Sequence, residues 1–592
     1  MIHKHYALLL RTTWRYAAAY RSSIVLVYGL LAIANVVVML EPIVLGRVLN
    51  IIQLQGNGAL SAILLNLALY ASLSVVYWVF HSTARILERT ASFHIVKNFT
   101  EDMFGKIASL PLRWHKDNHS GATIDKLRKA SNALRQFSSE GFTYIETIVH
   151  SVIAIAAIVY IVPFYGMLVV LFSGIIVVII FRFDAVLVRS LDEINKREHL
   201  VAATLFDYIA NMITVITLRL QTLAQNEVAR RILDVLPEFR KNIKLNELKW
   251  FIVGMLLVAT NFALLSLYIW QQIAAGEVIL IGSLMALYQY IQRFIDVFYR
   301  LAWQYEKMVW EATDLKTIKG ILASYEALDR PAKTQSIAAD WQRIDIMHLD
   351  FTYEDKEHHT HQLRDVGLVL ERGKRIALVG ESGSGKSTLL VLLRGLEAPS
   401  RVAVTIDGVA HSSLEPLSPV TTLIPQDPEI FENSVEYNIT AGISHTPEQI
   451  ASAMALARFE GVVERLPAGM QTHINEKGVN LSGGEKQRLA LSRGIFAAQD
   501  SSIILMDEPT SSVDSINEVA IYRNIFLQFA DACIVSSIHR LHLLPKFDRI
   551  YVLEKGRVVE EGTFAELTQG KGKLAEMWAH YEQSMTKKDV SL

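Results

Sequence analysis

The sequence predicts two domains, a helical bundle in the membrane followed by a cytoplasmic α/β domain with a largely parallel sheet. Apolar runs of about 20 residues recur through residues 1–310, and the connectors between them alternate between short ones with stretches free of Lys and Arg and long ones that are strongly basic. From about residue 340, short β runs alternate with helices. At 592 residues the chain is also too long to share one hydrophobic core.

Six apolar runs reach or approach the length at which a helix crosses the hydrocarbon layer. They are residues 23–40, 61–80, 144–162, 167–181, 250–270 and 279–299. In the connectors after the first, third and fifth runs, residues 49–60, 163–166 and 271–278 contain no Lys or Arg, whereas the connectors after the second and fourth runs are about 60 residues long and basic. Because cytoplasmic loops carry the excess of basic residues, the long connectors and both chain ends are predicted to be cytoplasmic. The N-terminus has no cleavable signal pattern, so we expect it to be retained.

The long connectors have helical periodicity, so they are predicted to extend the spans into the cytoplasm. Each is interrupted near its middle, around residues 111–121 and 207–218. An interruption of this kind is either a surface turn or a short helix that presses on another domain. Residues 311–341 are predicted to be a linker, 342–584 the second domain and 585–592 a tail.

Charge and cysteine content exclude some classes of function. The formal net charge of −1 provides no basic field for nucleic acid. The single cysteine, Cys533, cannot form a disulfide within the chain and has no neighbouring Cys or His for a zinc site. We expect it to be a buried apolar residue.

The stretch GESGSGKST, residues 380–388, follows the apolar run 376–379 and leads into a helical run. Its glycines allow backbone N–H groups to converge on phosphate oxygens. Lys386 is expected to meet the β- and γ-phosphates, and the Ser387 hydroxyl to ligate Mg²⁺. The predicted nucleotide-binding residues here are Gly380, Glu381, Ser382, Gly383, Ser384, Gly385, Lys386, Ser387 and Thr388.

A buried strand in residues 503–514 ends in the two acids Asp507 and Glu508. Asp507 suits a role in binding Mg²⁺, and Glu508 could polarise an attacking water. Paired acids at a strand end are often only solvated loop residues. Their position about 120 residues after the phosphate-binding loop, in the same α/β domain, favours the catalytic interpretation.

A helix start is predicted at residues 482–485, where Ser482, Gly483 and Gly484 precede Glu485. Ser and Gly favour the cap position, and an acid suits the first turn. Exposed N–H groups at such a cap also attract anions. Two phosphate-binding helix ends in one domain suggest that each nucleotide is held between two domains.

With these motifs the chain resembles ABC transporters of the exporter type, as a half-transporter with one membrane domain fused to one nucleotide-binding domain. GESGSGKS is similar to the Walker A loop, LSGGE to the signature motif, IILMDE to the Walker B strand, and Ser512 with Asp514 to the D-loop. The resemblance implies six transmembrane helices with long cytoplasmic helical extensions, followed by a cytoplasmic α/β P-loop ATPase domain.

The resemblance also assigns roles to isolated residues. Gln426 is similar to the Q-loop glutamine at the Mg²⁺ site, His539 to the switch histidine at the γ-phosphate, and Tyr353 to the aromatic residue that stacks on adenine. Glu476 falls where the family has its X-loop acid. The expected catalytic residues are then Glu508, His539 and Gln426, and the expected metal ligands are Ser387, Gln426 and Asp507, with ATP and Mg²⁺ as cofactors. The signature residues 482–485 and Asp514 are expected to contact nucleotide.

The family pattern implies export driven by ATP hydrolysis through alternating access. The signature has Glu485 where Gln is commoner, and Pro509 replaces a frequent Ala, but neither change removes a catalytic group. An active ATPase and a homodimer of half-transporters are therefore expected, in a prokaryotic inner or cell membrane, in contact with lipid and without a nucleic-acid partner. An importer of the same fold and a regulatory or gated membrane ATPase remain alternatives.

The cargo is predicted only as a class, polar or amphipathic: an oligosaccharide, lipid, peptide or drug. Residues 41–52 and 110–134 are somewhat similar to the cyclic β-glucan exporter branch. The sixth run carries Gln289, Gln292, Arg293 and Asp296. Two interpretations stay open: an Arg293–Asp296 pair or snorkelling, or the wall of a cargo cavity.

Overall fold

The computed structural model describes residues 2–118, 120–328, 337–338, 340–354, 360–427, 429–475 and 481–589. The chain divides into two compact units. The first comprises residues 1–109 and 120–326, and the second comprises 110–119 and 327–592. Residues 110–119 therefore interrupt the first unit in the sequence but group with the second.

The first unit is built of helices. In chain order, with α5 belonging to the second unit, they are α1 (Ile2–Ala17), α2 (Arg21–Val38), α3 (Glu41–Gln55), α4 (Leu60–Ala108), α5 (Leu112–Asp117), α6 (Ser120–Ser139), α7 (Gly141–Ile161), α8 (Pro163–Ala210), α9 (Met212–Thr217), α10 (Gln221–Leu233), α11 (Leu236–Ala274), α12 (Ile281–Lys316) and α13 (Lys319–Glu326). Helices α3, α8 and α11 each have a proline in the first turn, where the missing N–H would be unpaired in any case.

Five described segments are long and apolar enough to cross a membrane: His5–Gln55, Leu60–Ala108, Ser120–Ile161, Leu171–Ala210 and Gln221–Ala274. Helix α12, which contains the predicted sixth span, is not among them. Instead its side chains Leu287, Tyr290, Ile291 and Phe294 are buried in a core shared with other helices of this unit. An inner helix that faces protein on several sides need not be uniformly apolar.

The long basic connectors are helical, as predicted. Helix α4 contains 49 residues, which corresponds to about 74 Å and far exceeds the roughly 30 Å hydrocarbon layer. Both interruptions contain short helices, α5 and α9. In the second unit, Leu112 and Lys116 of α5 line a pocket together with Phe351 and Val391. These contacts favour the short-helix interpretation of the first interruption over a surface turn.

The predicted ion pair between Arg293 and Asp296 is wrong. Among the described residues, the guanidinium of Arg293 instead lies 3.1 Å from the carboxylate of Glu41. Helices α3 and α12 run side by side with their backbones in close approach. A Cβ atom placed on Gly46 would lie 2.7 Å from the carbonyl oxygen of Gly282. This approach brings Glu41 opposite Arg293, so the charge is neutralised by a residue distant in sequence.

The second unit contains two sheets. A six-stranded sheet has the order β10-β9-β3-β8-β7-β6, and a four-stranded sheet has the order β2-β1-β4-β5. The strands are β1 (Arg343–Glu354), β2 (Thr360–Glu371), β3 (Arg375–Val379), β4 (Arg401–Ile406), β5 (Val409–His411), β6 (Thr421–Ile424), β7 (Ile503–Asp507), β8 (Cys533–Ser537), β9 (Arg549–Glu554) and β10 (Arg557–Gly562). The helices are α14 (Lys386–Leu393), α15 (Val435–Thr440), α16 (Pro447–Leu456), α17 (Glu460–Val463), α18 (Gly483–Ala497), α19 (Ser515–Gln528), α20 (Phe564–Gln569) and α21 (Lys573–Asp589).

The central strands of the larger sheet are parallel and almost entirely buried. Strand β3 pairs in parallel with β8 and β9, and β7 pairs in parallel with β6 and β8. Cys533, at the start of β8, is fully buried, and this burial raises the pKa of its thiol to about 12. The prediction that it serves as a buried apolar residue is confirmed. The parallel arrangement places the carboxyl ends of β3, β6, β7 and β8 at one edge, where ligands of such sheets bind.

Candidate nucleotide site

The predicted phosphate-binding and hydrolytic residues meet at this carboxyl edge of the sheet. Strand β3 leads into the loop 380–385, while Gln426 follows β6, Glu508 follows β7 and His539 follows β8. Since the four strands are neighbours, their following residues converge. A cleft of about 700 Å³ is lined by residues 382–388 together with Gln426, Glu508 and His539.

The phosphate-binding loop needs glycine at its two inner positions. Gly383 and Gly385 have φ angles of 80° and 106°, in the left-handed region that favours glycine. Gly385 is also crowded, because a Cβ atom there would lie 2.5 Å from a methyl carbon of Leu363. The loop backbone can therefore approach a ligand closely while α14 begins directly behind it at Lys386.

Lys386 is folded back along this loop and is only 5% exposed. Its Nζ donates hydrogen bonds to the carbonyl oxygens of Gly380, at 2.8 Å, and Glu381, at 3.2 Å. Burial lowers the pKa of Lys386, and the nearby carboxylates of Glu508 and Asp507 oppose that shift. The ammonium group is thus held at the loop by weak neutral acceptors, which phosphate oxygens would replace with stronger charged ones.

The three predicted catalytic side chains are in direct contact. Oε1 of Glu508 lies 2.7 Å from Nε2 of His539, and Oε2 of Glu508 accepts a hydrogen bond of 3.0 Å from Nε2 of Gln426. The backbone of Glu508 has φ 45°, a strained conformation for a residue other than glycine, and its N–H donates to Oγ of Ser537 at 2.9 Å. Glu508 lines the same cleft as residues 382–388 of the phosphate-binding loop.

The predicted metal ligands are divided between the cleft and the strand end. Ser387 and Gln426 line the cleft, whereas Asp507 is the last residue of β7 and accepts a hydrogen bond of 2.6 Å from Oγ of Ser537. The set comprises hydroxyl, amide and carboxylate oxygens, the ligands that Mg²⁺ prefers. No group of three His, Cys, Asp or Glu residues that could hold a metal occurs among the described residues. The donor set therefore suits a cation that takes further oxygens from nucleotide phosphates.

The predicted signature residues form the start of helix α18. Ser482 is its N-cap, as the sequence predicts, and the side chains of Ser482 and Glu485 form a capping box. The carboxylate of Glu485 also lies 2.9 Å from Arg465. Among the described residues of this chain, 482–485 do not line the cleft that contains Lys386. One chain therefore presents this helix start away from its own phosphate-binding loop.

The predicted D-loop residue Asp514 is also outside the cleft described for this chain. It N-caps α19 and accepts a hydrogen bond of 3.0 Å from the backbone N–H of Asn517, and this bond lowers the pKa of Asp514. The D-loop itself contacts the signature helix. Gln487 of α18 accepts a hydrogen bond of 2.6 Å from the N–H of Ser512 and donates one of 2.8 Å to Oγ of Ser511.

Two further predictions concern Tyr353 and Glu476. The side chain of Tyr353 and the whole of Glu476 lie outside the described residues. The backbone register pairs Tyr353 with His361 across strands β1 and β2. His361 immediately precedes Gln362 on β2, so the backbone of Tyr353 lies opposite the neighbour of a cleft-lining residue.

Sequence reasoning missed one wall of the cleft. Gln362 and Arg364 of β2, with Lys555 and Gly556 of the turn between β9 and β10, also line it. The Lys–Gly pair indicates a turn, but no spacing in the sequence associates these residues with the phosphate-binding loop. Their role depends on the pairing of strands distant in sequence.

A buried cluster next to the D-loop was missed as well. Glu518 of α19 is 3% exposed and accepts hydrogen bonds from Oγ1 of Thr510, at 2.7 Å, and from Arg540, at 3.0 Å. Arg540 donates further hydrogen bonds to the carbonyl oxygens of Val513 and Ser511. The Glu518–Arg540 pair therefore joins the D-loop to the segment that carries the adjacent His539.

The two units match two families. Residues 24–293 match the family described as ABC transporter transmembrane region, and residues 363–511 match the family described as ABC transporter. A solved structure of a bacterial Atm1-family ABC exporter with ATP bound is similar with a TM-score of 0.82 at 22% identity, over 95% of this chain and 99% of that one. This similarity establishes the fold: a helical membrane domain with a C-terminal α/β nucleotide-binding domain.

Curated relatives include proteins of opposite transport direction. The β-(1→2)-glucan export ATP-binding/permease protein NdvA of Agrobacterium vitis is 26% identical over 96% of both chains. The mycobactin import ATP-binding/permease protein IrtB of Mycolicibacterium smegmatis is 34% identical over 46% of this chain and 47% of its own length. The chain thus spans about half of the latter relative in that alignment, and nearly all of the former.

Proposed function

This chain belongs to the ABC transporter family, with membrane and ATP-binding domains in one polypeptide, and we propose that it is a half-transporter that exports a polar or amphipathic substrate by ATP hydrolysis. The observation that carries the proposal is the contact of Glu508 with both His539 and Gln426 beside the phosphate-binding loop. A carboxylate held at this position suits the orientation of a water for attack on the γ-phosphate. A protein that only bound nucleotide would not need this group.

The fit of the oxygen donors supports Mg²⁺ as the cofactor bound with ATP. Ser387, Gln426 and Asp507 would hold the ion, directly or through water. When bound, the cation would neutralise charge that develops on the β- and γ-phosphates. Lys386 would bind the same phosphates, while Glu508 would orient the water and His539 would position the carboxylate and the γ-phosphate.

The proposed assembly is a homodimer. Residues 482–485 form a helix start with a capping box but do not line the described cleft of their own chain. A second copy would supply this helix start to the nucleotide, and would receive the same contact in return. Since the chain contains both the hydrolytic residues and the signature motif, two copies are sufficient for two complete sites. Both chain ends would be cytoplasmic in a prokaryotic inner or cell membrane.

An oligosaccharide, of the class of β-glucans, is the proposed cargo. The similarity to NdvA extends over 96% of both chains and supports this class. Lipids, peptides and drugs are the competing cargoes. Import, the direction in the printed name of IrtB, is the competing direction.

Transport in reconstituted vesicles tests both cargo and direction. Mg·ATP added outside sealed vesicles drives only those molecules whose ATP-binding domain faces outward. Export by these molecules accumulates labelled β-(1→2)-glucan in the lumen, whereas import releases glucan that was loaded there. Glu508→Gln serves as the inactive control.

The expected result is accumulation in the lumen that requires ATP and Glu508. Release of loaded glucan would overturn export, and accumulation of a lipid, peptide or drug in place of glucan would overturn the proposed cargo. ATP hydrolysis without movement of any of these classes would favour a regulatory membrane ATPase.

A further inference from the structure

The nucleotide cleft has two walls on opposite sides of the phosphate-binding strand. In the sheet, β8, β7 and β6 lie on one side of β3 and β9 lies on the other. The hydrolytic residues follow strands of the first group. The turn Lys555–Gly556 follows β9 and therefore belongs to the opposite wall.

Backbone hydrogen bonds attach this second wall to the far end of the phosphate-binding loop. The N–H of Gly556 donates to the carbonyl oxygen of Ser384 at 3.1 Å, and the N–H of Arg364 donates to the carbonyl oxygen of Gly556 at 2.8 Å. A nucleotide whose γ-phosphate lies beside Glu508 would extend its α-phosphate and ribose toward this wall. The backbone register pairs Tyr353, the residue expected to stack on adenine, with His361, three residues before Arg364 on β2.

The side chain of Arg364 has the chemistry for a phosphate ligand. It is exposed in the cleft, and its Nε donates a hydrogen bond of 2.7 Å to the neutral amide oxygen of Gln362. Among the described residues, Gln362 is the only side-chain partner of the guanidinium. The cleft lining also includes the cations Lys386 and Lys555, while Glu508 is the one carboxylate among the described lining residues. This excess of positive charge suits a polyphosphate, and a planar guanidinium binds phosphate oxygens in bidentate fashion.

We propose that Arg364 is a nucleotide-binding residue that contacts the α-phosphate and ribose of ATP, with Gln362 as the residue that positions its guanidinium. The contact lies away from the γ-phosphate, so it is present with ADP as with ATP. The proposal rests on the proposed function only in taking ATP as the substrate, and it is independent of cargo and direction.

Nucleotide affinity of the full chain in lipid nanodiscs tests the proposal. Dissociation constants for ATP and ADP are measured by displacement of a fluorescent ATP analogue, for wild type, Arg364→Gln, Arg364→Lys, Gln362→Ala and the control Arg401→Gln, an exposed arginine on β4 outside the cleft lining. His539→Ala marks the γ-phosphate end. Thermal unfolding without nucleotide checks that each variant is folded.

Arg364→Gln is expected to weaken ATP and ADP equally, by about tenfold, the usual size for loss of a charge-assisted hydrogen bond. Arg364→Lys should recover part of the loss, Gln362→Ala should give a smaller loss, and Arg401→Gln none. His539→Ala should weaken ATP alone.

Equal affinities of Arg364→Gln and wild type for both nucleotides would overturn the proposal, as would a loss confined to ATP, which would place the contact at the γ-phosphate. Failure of the proposed function is a separate result. A wild-type protein that binds both nucleotides but moves no cargo would refute export and leave the assignment of Arg364 intact.

Discussion

Nε2 of His539 lies 2.7 Å from Oε1 of Glu508, and the two residues follow neighbouring parallel strands. Gln426 follows β6, the neighbour of β7 on its other side, and donates a hydrogen bond of 3.0 Å to the second carboxylate oxygen of the same glutamate. The sheet therefore assembles these side chains in one chain, before any partner approaches. In the proposed homodimer, the nucleotide and the helix start of the second copy's signature motif would complete the site.

Glu508→Gln is expected to reduce ATP hydrolysis at least a hundredfold while ATP binding is retained. The amide keeps the size of the side chain and hydrogen bonds to its neighbours, but it is a far weaker base for the attacking water. Hydrolysis and ATP affinity are measured side by side. Glu561→Gln, at an exposed pair with Arg549, is the matched control and should hydrolyse ATP at the wild-type rate. Substantial hydrolysis by Glu508→Gln would assign the base elsewhere.

Glu518→Ala should lower both stability and turnover without changing ATP affinity. Removing one partner of a fully buried pair typically costs 3–5 kcal/mol, but Arg540 is one third exposed, so about 2 kcal/mol is expected. The D-loop and the His539 segment lose their common anchor, so kcat should fall while the ATP dissociation constant is unchanged. Thermal unfolding and steady-state kinetics measure the two effects. The exposed Glu464→Ala should change neither, and an unaltered kcat in Glu518→Ala would limit the pair to a purely structural role.

The sequence predicts those parts of the site whose pattern is local. The glycine-rich phosphate-binding loop follows an apolar strand and precedes a helix, and the acids at 507–508 end a second apolar strand, so both can be located from adjacent residues in the sequence. Arg364 and Glu518 carry no local signal, because their neighbours come from strand order and helix packing. Arg293 illustrates the limit: helical spacing offers Asp296 as its partner, yet the actual partner, Glu41, is 252 residues away.

The capping box of α18 should make protection of its first turn depend on pH. The backbone N–H of Ser482, with its hydroxyl and the charge of Arg465, lowers the pKa of Glu485. A lowered pKa in the folded state means that the stabilisation is fully present above the unfolded pKa of about 4.3 and is lost as pH falls through the folded value. Glu485→Ala should therefore cost about 1 kcal/mol at pH 7.5 and less near pH 4.

Hydrogen exchange of the α18 amides, corrected for the intrinsic rate at each pH, measures this stability. Glu485→Gln is the informative comparison, since Gln can keep the capping box but not the charge. It should lie between wild type and Glu485→Ala at pH 7.5 and approach wild type as the pH falls below about 4. A wild-type advantage over Gln that persists unchanged at pH 4 would contradict the role of the carboxylate charge.

Gly282→Ala and Gly29→Ala should change stability in opposite directions. An Ala Cβ at Gly282 would overlap the carbonyl oxygen of Gly46 and lie 2.5 Å from Oδ1 of Asn50, whereas nothing lies within 4 Å of a Cβ at Gly29. In a helix, Gly→Ala normally stabilises by about 0.4–1 kcal/mol, so Gly29→Ala should raise the thermal unfolding midpoint. Gly282→Ala must separate α3 from α12 and should lose about 1–3 kcal/mol of stability, the usual cost of overpacking.

Because that separation also pulls Glu41 from Arg293, Glu41→Gln should destabilise wild type more than it destabilises Gly282→Ala. Equal stability of the two Ala variants would refute the close approach of these helices.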